Sequence, residues 1–192
     1  DEVWTINFAG NWCRSDKIFL MDGIRDDEGN INDSGWHEYA KKHIHTPILS
    51  AHLFKELPNI VRFPLEQVLN ATQELWYGNT VCYALAYACT IGVKEVHMFG
   101  CDFAYEYKNI NNEGKSQVIS NEQMEVIQGI ELGHAAVTYW MGICQRFGIQ
   151  IHLPPTTTLA SFNNRHFYGY GKKQPLIKIA GINRSDPTGD NR

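Results

Sequence analysis

The 192-residue sequence lacks any apolar run that reaches the length of a membrane-spanning helix, and it has no signal-peptide pattern. It also has no long run of Lys or Arg, and its formal net charge is -4, which argues against a nucleic-acid-binding surface. The phosphate-binding patterns G-x-x-x-x-G-K-[ST] and G-x-G-x-x-G are missing, as is the G-x-S-x-G of α/β-hydrolases. These absences argue against a P-loop protein, a dinucleotide-binding dehydrogenase and a hydrolase of that class.

The sequence has five cysteines, and their spacing suggests no cross-link. The five cysteines are odd in number and include no C-x-x-C pair, so neither a zinc site nor a disulfide framework is indicated. Cys82 and Cys89 are expected to pack as small apolar side chains in a helix. Free cysteines favour a reducing compartment, and we therefore expect a cytoplasmic protein. Because the chain begins almost directly in a strand-like run, we expect a further strand to precede Asp1.

Short apolar runs alternate with helical segments along most of the chain. The alternation predicts a mostly parallel, Rossmann-like sheet with helices on both faces, in a three-layer α/β domain over residues 1–168. Residues 169–192 are predicted to form an extended tail. The predicted strands are VWTINF (3–8), KIFLM (17–21), TPILS (46–50), IVRF (60–63) and IQIHL (149–153), and helices are predicted over 36–42, 64–70 and 122–147, the last of them broken or bent near 129–133.

The stretch from Trp76 to Asp102 carries the clearest pattern. It predicts a turn, an alanine-rich buried helix that ends at Gly92, and a buried strand over 96–99, within which His97 would have a structural role. A polar loop over 103–121 follows, and we interpret it as a mobile cover for a site.

Short polar side chains stand where predicted strands end and where this helix begins. Asn7, Asp22 and Asp102 each follow a strand-like run, and ligands of open α/β sheets bind outside the carboxyl ends of the strands. Asn79 and Thr80 open the helix, whose free N–H groups are suited to a phosphate. The alternative is that these residues only form turns and helix caps. For Asn7, Asp22 and Asp102 together, we favour a site.

Proton transfer and metal binding have weaker candidates. His134 follows Gly133 and is suited to exchange a proton near neutral pH, although it could equally be a structural histidine. The acidic run 26–28 is more typical of a solvated loop than of a Mg²⁺ site. His43, His45 and His52 show no metal-binding spacing, so no metal site is predicted.

Several segments of the sequence resemble a known protein family. GNTVCYALAYACTIGVKEVHMFGCDF (78–103) is similar to the central segment of the bacterial sialyltransferases that build lipooligosaccharide ends, and also to archaeal-type pterin pyrophosphokinases and motility-accessory-factor proteins. VWTINF and KIFLMD resemble the second and third strands of that family, Gly133–His134 resembles its Gly-His pair, and IQIHLPPTTTLASF resembles its closing strand. The likeness covers most of residues 3–162. The first strand of the family and its N-G-P-S turn are not in this sequence.

The resemblance implies a nucleotide site and a base. In the family's pattern, His134 would take the proton from an acceptor hydroxyl, and no metal would be needed. Tyr105 and Tyr107 are candidates for the tyrosines that hold the leaving phosphate, and Tyr77 stands near the place of an arginine that the family has before its helix. The implied nucleotide-binding residues are Asn7, Asp22, Asn79, Thr80, Gly100, Asp102 and Tyr105.

Three functions therefore remain open at the level of the sequence. The first is a glycosyltransferase that uses a nucleotide sugar, with a CMP-type donor. The second is a pyrophosphokinase-like nucleotide transferase, in which Asp22, Asp26 or Asp102 would hold Mg²⁺. The third is a non-catalytic nucleotide-binding or assembly protein. They differ in whether Mg²⁺ is needed and in whether His134 matters.

Overall fold

The computed structural model of the protein contains six β-strands and four α-helices within the residues that it describes. These residues are 1–22, 35–101, 121–154, 157 and 159, with the backbone alone over 121–127. Every strand pairing among them is parallel. The strands are β1 (Trp4–Ile6), β2 (Lys17–Phe19), β3 (Ile48–Ser50), β4 (Ile60–Arg62), β5 (Glu95–His97) and β6 (Gln150–His152); the helices are α1 (Trp36–Lys42), α2 (Leu65–Thr72), α3 (Thr80–Ile91) and α4 (Asn121–Arg146).

The first four strands form one parallel sheet in the order β1-β2-β3-β4. Ile6 pairs with Phe19, and Ser50 pairs with Arg62. Because the strands are parallel and nearly in step, their carboxyl ends meet at a single edge. The predicted parallel α/β arrangement is confirmed for this sheet.

Both faces of the four-stranded sheet are covered by apolar side chains, because successive residues of a strand point to opposite faces. Ile18 packs in a cluster with Trp36 and Tyr39 of α1. Phe19, the next residue, packs in a second cluster with side chains of α2, α3 and α4. The continuous apolar run of β2 is therefore explained by burial on both sides.

Helix α3 has clear start and stop signals. The side chain of Asn79 accepts a hydrogen bond from the Cys82 backbone N–H at 3.3 Å, which is the N-cap arrangement. Gly92 ends the helix in the left-handed region at φ 72°, a conformation that glycine adopts without steric cost. Cys82 and Cys89 are buried in the core, as predicted.

Helix α4 is a single helix, so the break predicted near residues 129–133 is wrong. Glycine weakens a helix interior by only about 1 kcal/mol per residue, and contacts with the rest of the chain outweigh this cost. The Trp140 indole Nε1 donates a hydrogen bond to the Trp76 carbonyl at 2.6 Å. The Arg146 guanidinium donates to the Glu74 carboxylate at 2.8 Å.

Strand β5 differs from the buried strand predicted over 96–99. It pairs with β6 in a separate two-stranded sheet, and it ends at His97. Val96 packs against the core, whereas Glu95 and His97 are exposed, and Phe99 is 73% exposed. The predicted structural role of a buried His97 is therefore wrong. Among the described residues, no element covers the face that carries Glu95 and His97.

No helix within the described ranges combines the length and apolar character that crossing a bilayer requires. The predicted tail over 169–192, the acidic run 26–28 and nearly all of the loop 103–121 fall outside the described residues.

Candidate functional site

The carboxyl edge of the four-stranded sheet brings two of the predicted site residues together. Asn7 follows β1 and donates a hydrogen bond from Nδ2 to the Oδ2 atom of Asp22, at 2.7 Å. Asn7 also has a positive φ of 52°, a conformation that asparagine tolerates better than most residues. Its Oδ1 atom is buried and has no hydrogen-bond partner among the described residues. The pair therefore offers a buried acceptor at the place where ligands of parallel sheets bind.

A cleft of about 270 Å³ opens at the carboxyl edge of the same sheet, and Met21, the residue before Asp22, is one of its lining residues. It lies past the carboxyl ends of β2, β3 and β4, against the first turns of α2 and α3. Burial raises the pKa of Tyr83, so its hydroxyl stays protonated at neutral pH and can donate a hydrogen bond. The cleft is lined by Met21, Ala51, Arg62, Phe63, Leu65 and Tyr83.

Two polar residues at this edge were missed by the reasoning from sequence. Arg62 is the last residue of β4. It is exposed, and it lines the cleft. Ser50 is the last residue of β3, and its Oγ atom is buried without a hydrogen-bond partner in the described part of the chain. The rule that selected Asn7 and Asp22, a polar residue at a strand end, would also have selected Ser50, whereas the predicted strand 60–63 continued past Arg62.

The amino end of α3 lies against the middle of α4. Besides capping α3, Asn79 donates a hydrogen bond from Nδ2 to the Gly133 carbonyl at 3.1 Å. Thr80 is buried at the start of the helix, and His134, the residue after Gly133, is half-buried. The tertiary structure therefore places the backbone of His134 next to the N-cap of α3, although 54 residues separate Asn79 from Gly133 in the chain.

Gly78 allows this close approach. A Cβ atom at Gly78 would lie 2.5 Å from the Cβ atom of Ala136 on α4, which is far inside contact distance. Since the Ala136 methyl group cannot rotate away, a side chain at position 78 would have to push α3 and α4 apart. Glycine is required here by packing.

The substitution Gly78→Ala is expected to lower the free energy of unfolding by about 1–3 kcal/mol, because it overpacks the contact between α3 and α4. Chemical denaturation measures the change. Gly142→Ala on α4 is the matched control: a Cβ atom there meets nothing within 4 Å, so alanine should leave stability unchanged or raise it. Equal stability of Gly78→Ala and the wild type would contradict the packing described here.

The remaining predicted site residues are placed only in part. Gly100 follows β5 with φ 70°, and a Cβ atom at this position would meet nothing within 4 Å. Asp102 and Tyr105 lie outside the described residues. The structure thus pairs Asn7 with Asp22, joins Asn79 to the residue before His134, and leaves Gly100 on an exposed segment.

A different part of the described chain has the side chains of a metal site. Glu95, His97 and His152 are the group whose ligand atoms lie close enough to share one ion, within 4.8 Å of one another. The cluster stands on the exposed face of the β5–β6 sheet. It could not be predicted from the sequence, because Glu95 and His152 are 57 residues apart in the chain.

No family model matches the chain, and no similar protein was found among curated sequences or solved structures.

Proposed function

We propose that this protein is a nucleotide-sugar-dependent glycosyltransferase of the sialyltransferase-like kind, with a CMP-type donor and with His134 as the general base. The observation that carries the proposal is the polar carboxyl edge of the parallel sheet. The Asn7–Asp22 pair stands at this edge, and Met21, Arg62 and Tyr83 line a cleft at the same edge.

A Rossmann-like, three-layer arrangement is the fold that this proposal requires. It is supported by the two apolar clusters on opposite faces of the four-stranded sheet, one with α1 and the other with α2, α3 and α4. In such folds the nucleotide binds outside the carboxyl ends of the strands. In the proposed fold, the two-stranded β5–β6 sheet would continue the same parallel layer.

The chemistry of the edge suits a nucleotide. Asp22 and the orphaned Oδ1 atom of Asn7 would accept hydrogen bonds from a ribose or a base, and Tyr83 would donate one. The guanidinium of Arg62 would meet the phosphate charge, since arginine binds phosphate oxygens in a fork. Buried polar atoms without a partner are costly in an empty site, so a ligand that satisfies them gains affinity.

The amino end of α3 supplies the other half of the proposed site. N–H groups at a helix start and the helix dipole favour an anionic group. Asn79 holds this end against Gly133. A phosphate at the start of α3 would therefore lie near His134, the residue that follows Gly133. Gly100 and Asp102 would reach the nucleotide from the end of β5.

The proposed reaction transfers the donor sugar to a hydroxyl group. The acceptor oxygen forms a bond to the anomeric carbon, and the bond from that carbon to the phosphate oxygen breaks. The nucleotide leaves with the bonding electrons, and the charge on its phosphate is stabilised by Arg62 and the start of α3. His134 accepts the proton of the acceptor hydroxyl.

The proposed location is the cytoplasm, because all five cysteines have free thiols and Cys13 is exposed.

Binding of CMP tests the proposed site directly. Isothermal titration calorimetry should show CMP binding in the absence of Mg²⁺. Arg62→Ala should weaken the affinity for CMP by about 10- to 100-fold, because it removes a charge-assisted hydrogen bond. Arg14→Ala is the matched control, because Arg14 pairs with Asp16 before the amino end of β2, away from the carboxyl edge. Binding that requires Mg²⁺ would favour the pyrophosphokinase-like alternative. Equal effects of the two arginine variants would contradict the site.

A further inference from the structure

Two histidines and one glutamate stand together on the exposed face of the β5–β6 sheet. Glu95 and His97 are two residues apart on β5, so both side chains lie on one face. His152 is directly opposite His97 in the register of the neighbouring strand. The face that holds Val96 and Ile151 packs against the core, which leaves the three polar side chains toward solvent.

The distances within the cluster suit a shared ion. The Oε2 atom of Glu95 lies 3.7 Å from Nε2 of His97 and 3.5 Å from Nε2 of His152. Both distances are longer than an ordinary N–H···O hydrogen bond of about 2.7–3.2 Å. Ligand atoms that surround a tetrahedral zinc ion at about 2.0–2.1 Å lie roughly 3.3–3.5 Å apart. The Glu95–His152 distance of 3.5 Å falls in this range, and the Glu95–His97 distance of 3.7 Å lies just above it.

The two imidazole rings are stacked in parallel. Their centroids are 4.3 Å apart and their planes differ by 8°. The lone pairs of imidazole lie in the ring planes, so the two exposed rings would rotate out of this stack to direct both lone pairs to one cation. Ordinary ion pairing is the simpler alternative, because the Oε2 atom of Glu95 lies within 4.0 Å of both histidines.

We propose that Glu95, His97 and His152 bind one Zn²⁺ ion, with water in the fourth position. Two imidazoles and one carboxylate are a common zinc ligand set, and three protein ligands leave a position open to solvent. Mg²⁺ does not suit this site, because it prefers oxygen ligands and two of the three ligands are imidazole nitrogens. His97 and His152 end their strands, so the ion would join β5 to β6 at their carboxyl ends. This zinc site does not depend on the proposed glycosyltransferase activity.

Calorimetric titration with ZnCl₂ tests the proposal on the tag-free chain after treatment with a chelator. The wild type should bind one zinc ion with an affinity at least about 10-fold higher than that of His97→Ala or His152→Ala, since even indirect partners of a zinc ligand are worth 10- to 100-fold. The side chains of Glu95, His97 and His152 are 56%, 58% and 43% exposed, so these substitutions leave the core intact. His52→Ala, an exposed histidine outside the cluster, should bind zinc as the wild type does.

Cobalt provides a second readout that separates this site from the thiols. Co²⁺ bound by the cluster should give visible absorption typical of a tetrahedral ion, without the near-ultraviolet band of a cobalt–thiolate bond. Glu95→Gln should weaken that absorption, and the double variant His97→Ala/His152→Ala should abolish it. Zinc affinity that is equal in the wild type and the double variant would overturn the proposal, as would a thiolate band that the double variant retains.

Discussion

Replacing Trp140 with alanine is expected to lower the free energy of unfolding by about 3–5 kcal/mol, the usual loss for a buried tryptophan. Trp140 is fully buried in the cluster between α3 and α4. Its ring lies 5.0 Å from the ring of Tyr77, and its indole Nε1 donates to the Trp76 carbonyl at 2.6 Å. Alanine would leave a cavity and also remove the partner of that carbonyl.

The same substitution at an exposed tryptophan is the control. Trp12 is 82% exposed, so Trp12→Ala should change stability by less than about 0.5 kcal/mol. Trp140→Phe keeps most of the apolar volume and loses the N–H donor, so its stability should lie between those of the wild type and Trp140→Ala. Chemical denaturation of the four proteins measures the differences. If Trp140→Ala were no less stable than Trp12→Ala, this result would contradict the packing of α4 on α3 described above.

The second large effect is expected at His134. On the proposed mechanism, His134→Ala should lower kcat by about 10²- to 10⁴-fold, which is the typical contribution of a positioned general base. Binding of CMP should be unchanged, because the proposed nucleotide contacts come from the sheet edge and from α3. The measurement is transfer of sugar from a CMP-sugar donor to a hydroxyl acceptor, together with CMP titration of the same variant.

The controls for His134 separate catalysis from folding. His52→Ala should retain wild-type turnover, and far-ultraviolet circular dichroism should be the same for His134→Ala and the wild type. Turnover of His134→Ala within about threefold of the wild type would exclude the role of general base. No sugar transfer by the wild type would favour the non-catalytic alternative.

The strands and short helices could be predicted because their signals are local. The run KIFLM indicated a strand covered on both faces, and β2 is buried on both faces. Asn79 marked the start of α3 as its N-cap, and Gly92 marked its end as a glycine in the left-handed region. The burial of β5 was predicted wrongly, because VHMF shows the same apolar run whether or not a neighbour covers it. Burial of a strand depends on what packs on each face.

The candidate site was predictable only where a polar residue ends a strand. That rule selected Asn7 and Asp22, which the structure joins by a hydrogen bond. It did not lead to Arg62, because the predicted strand 60–63 continued to Phe63, whereas β4 ends at Arg62. Nothing local indicated that Gly133 would meet Asn79, since a contact across 54 residues is set by how two helices pack.

The sequence by itself indicated most of the strands and helices, the two ends of α3 and a parallel sheet. These follow from apolar periodicity, from capping residues and from the alternation of strands with helices. Only the tertiary structure decided which distant side chains meet. It placed the residue before His134 at the cap of α3, opened the cleft beside Arg62, and set His97 opposite His152 next to Glu95. The reason is physical: such groupings depend on strand register and on helix packing, and neither is encoded within a short window of the chain.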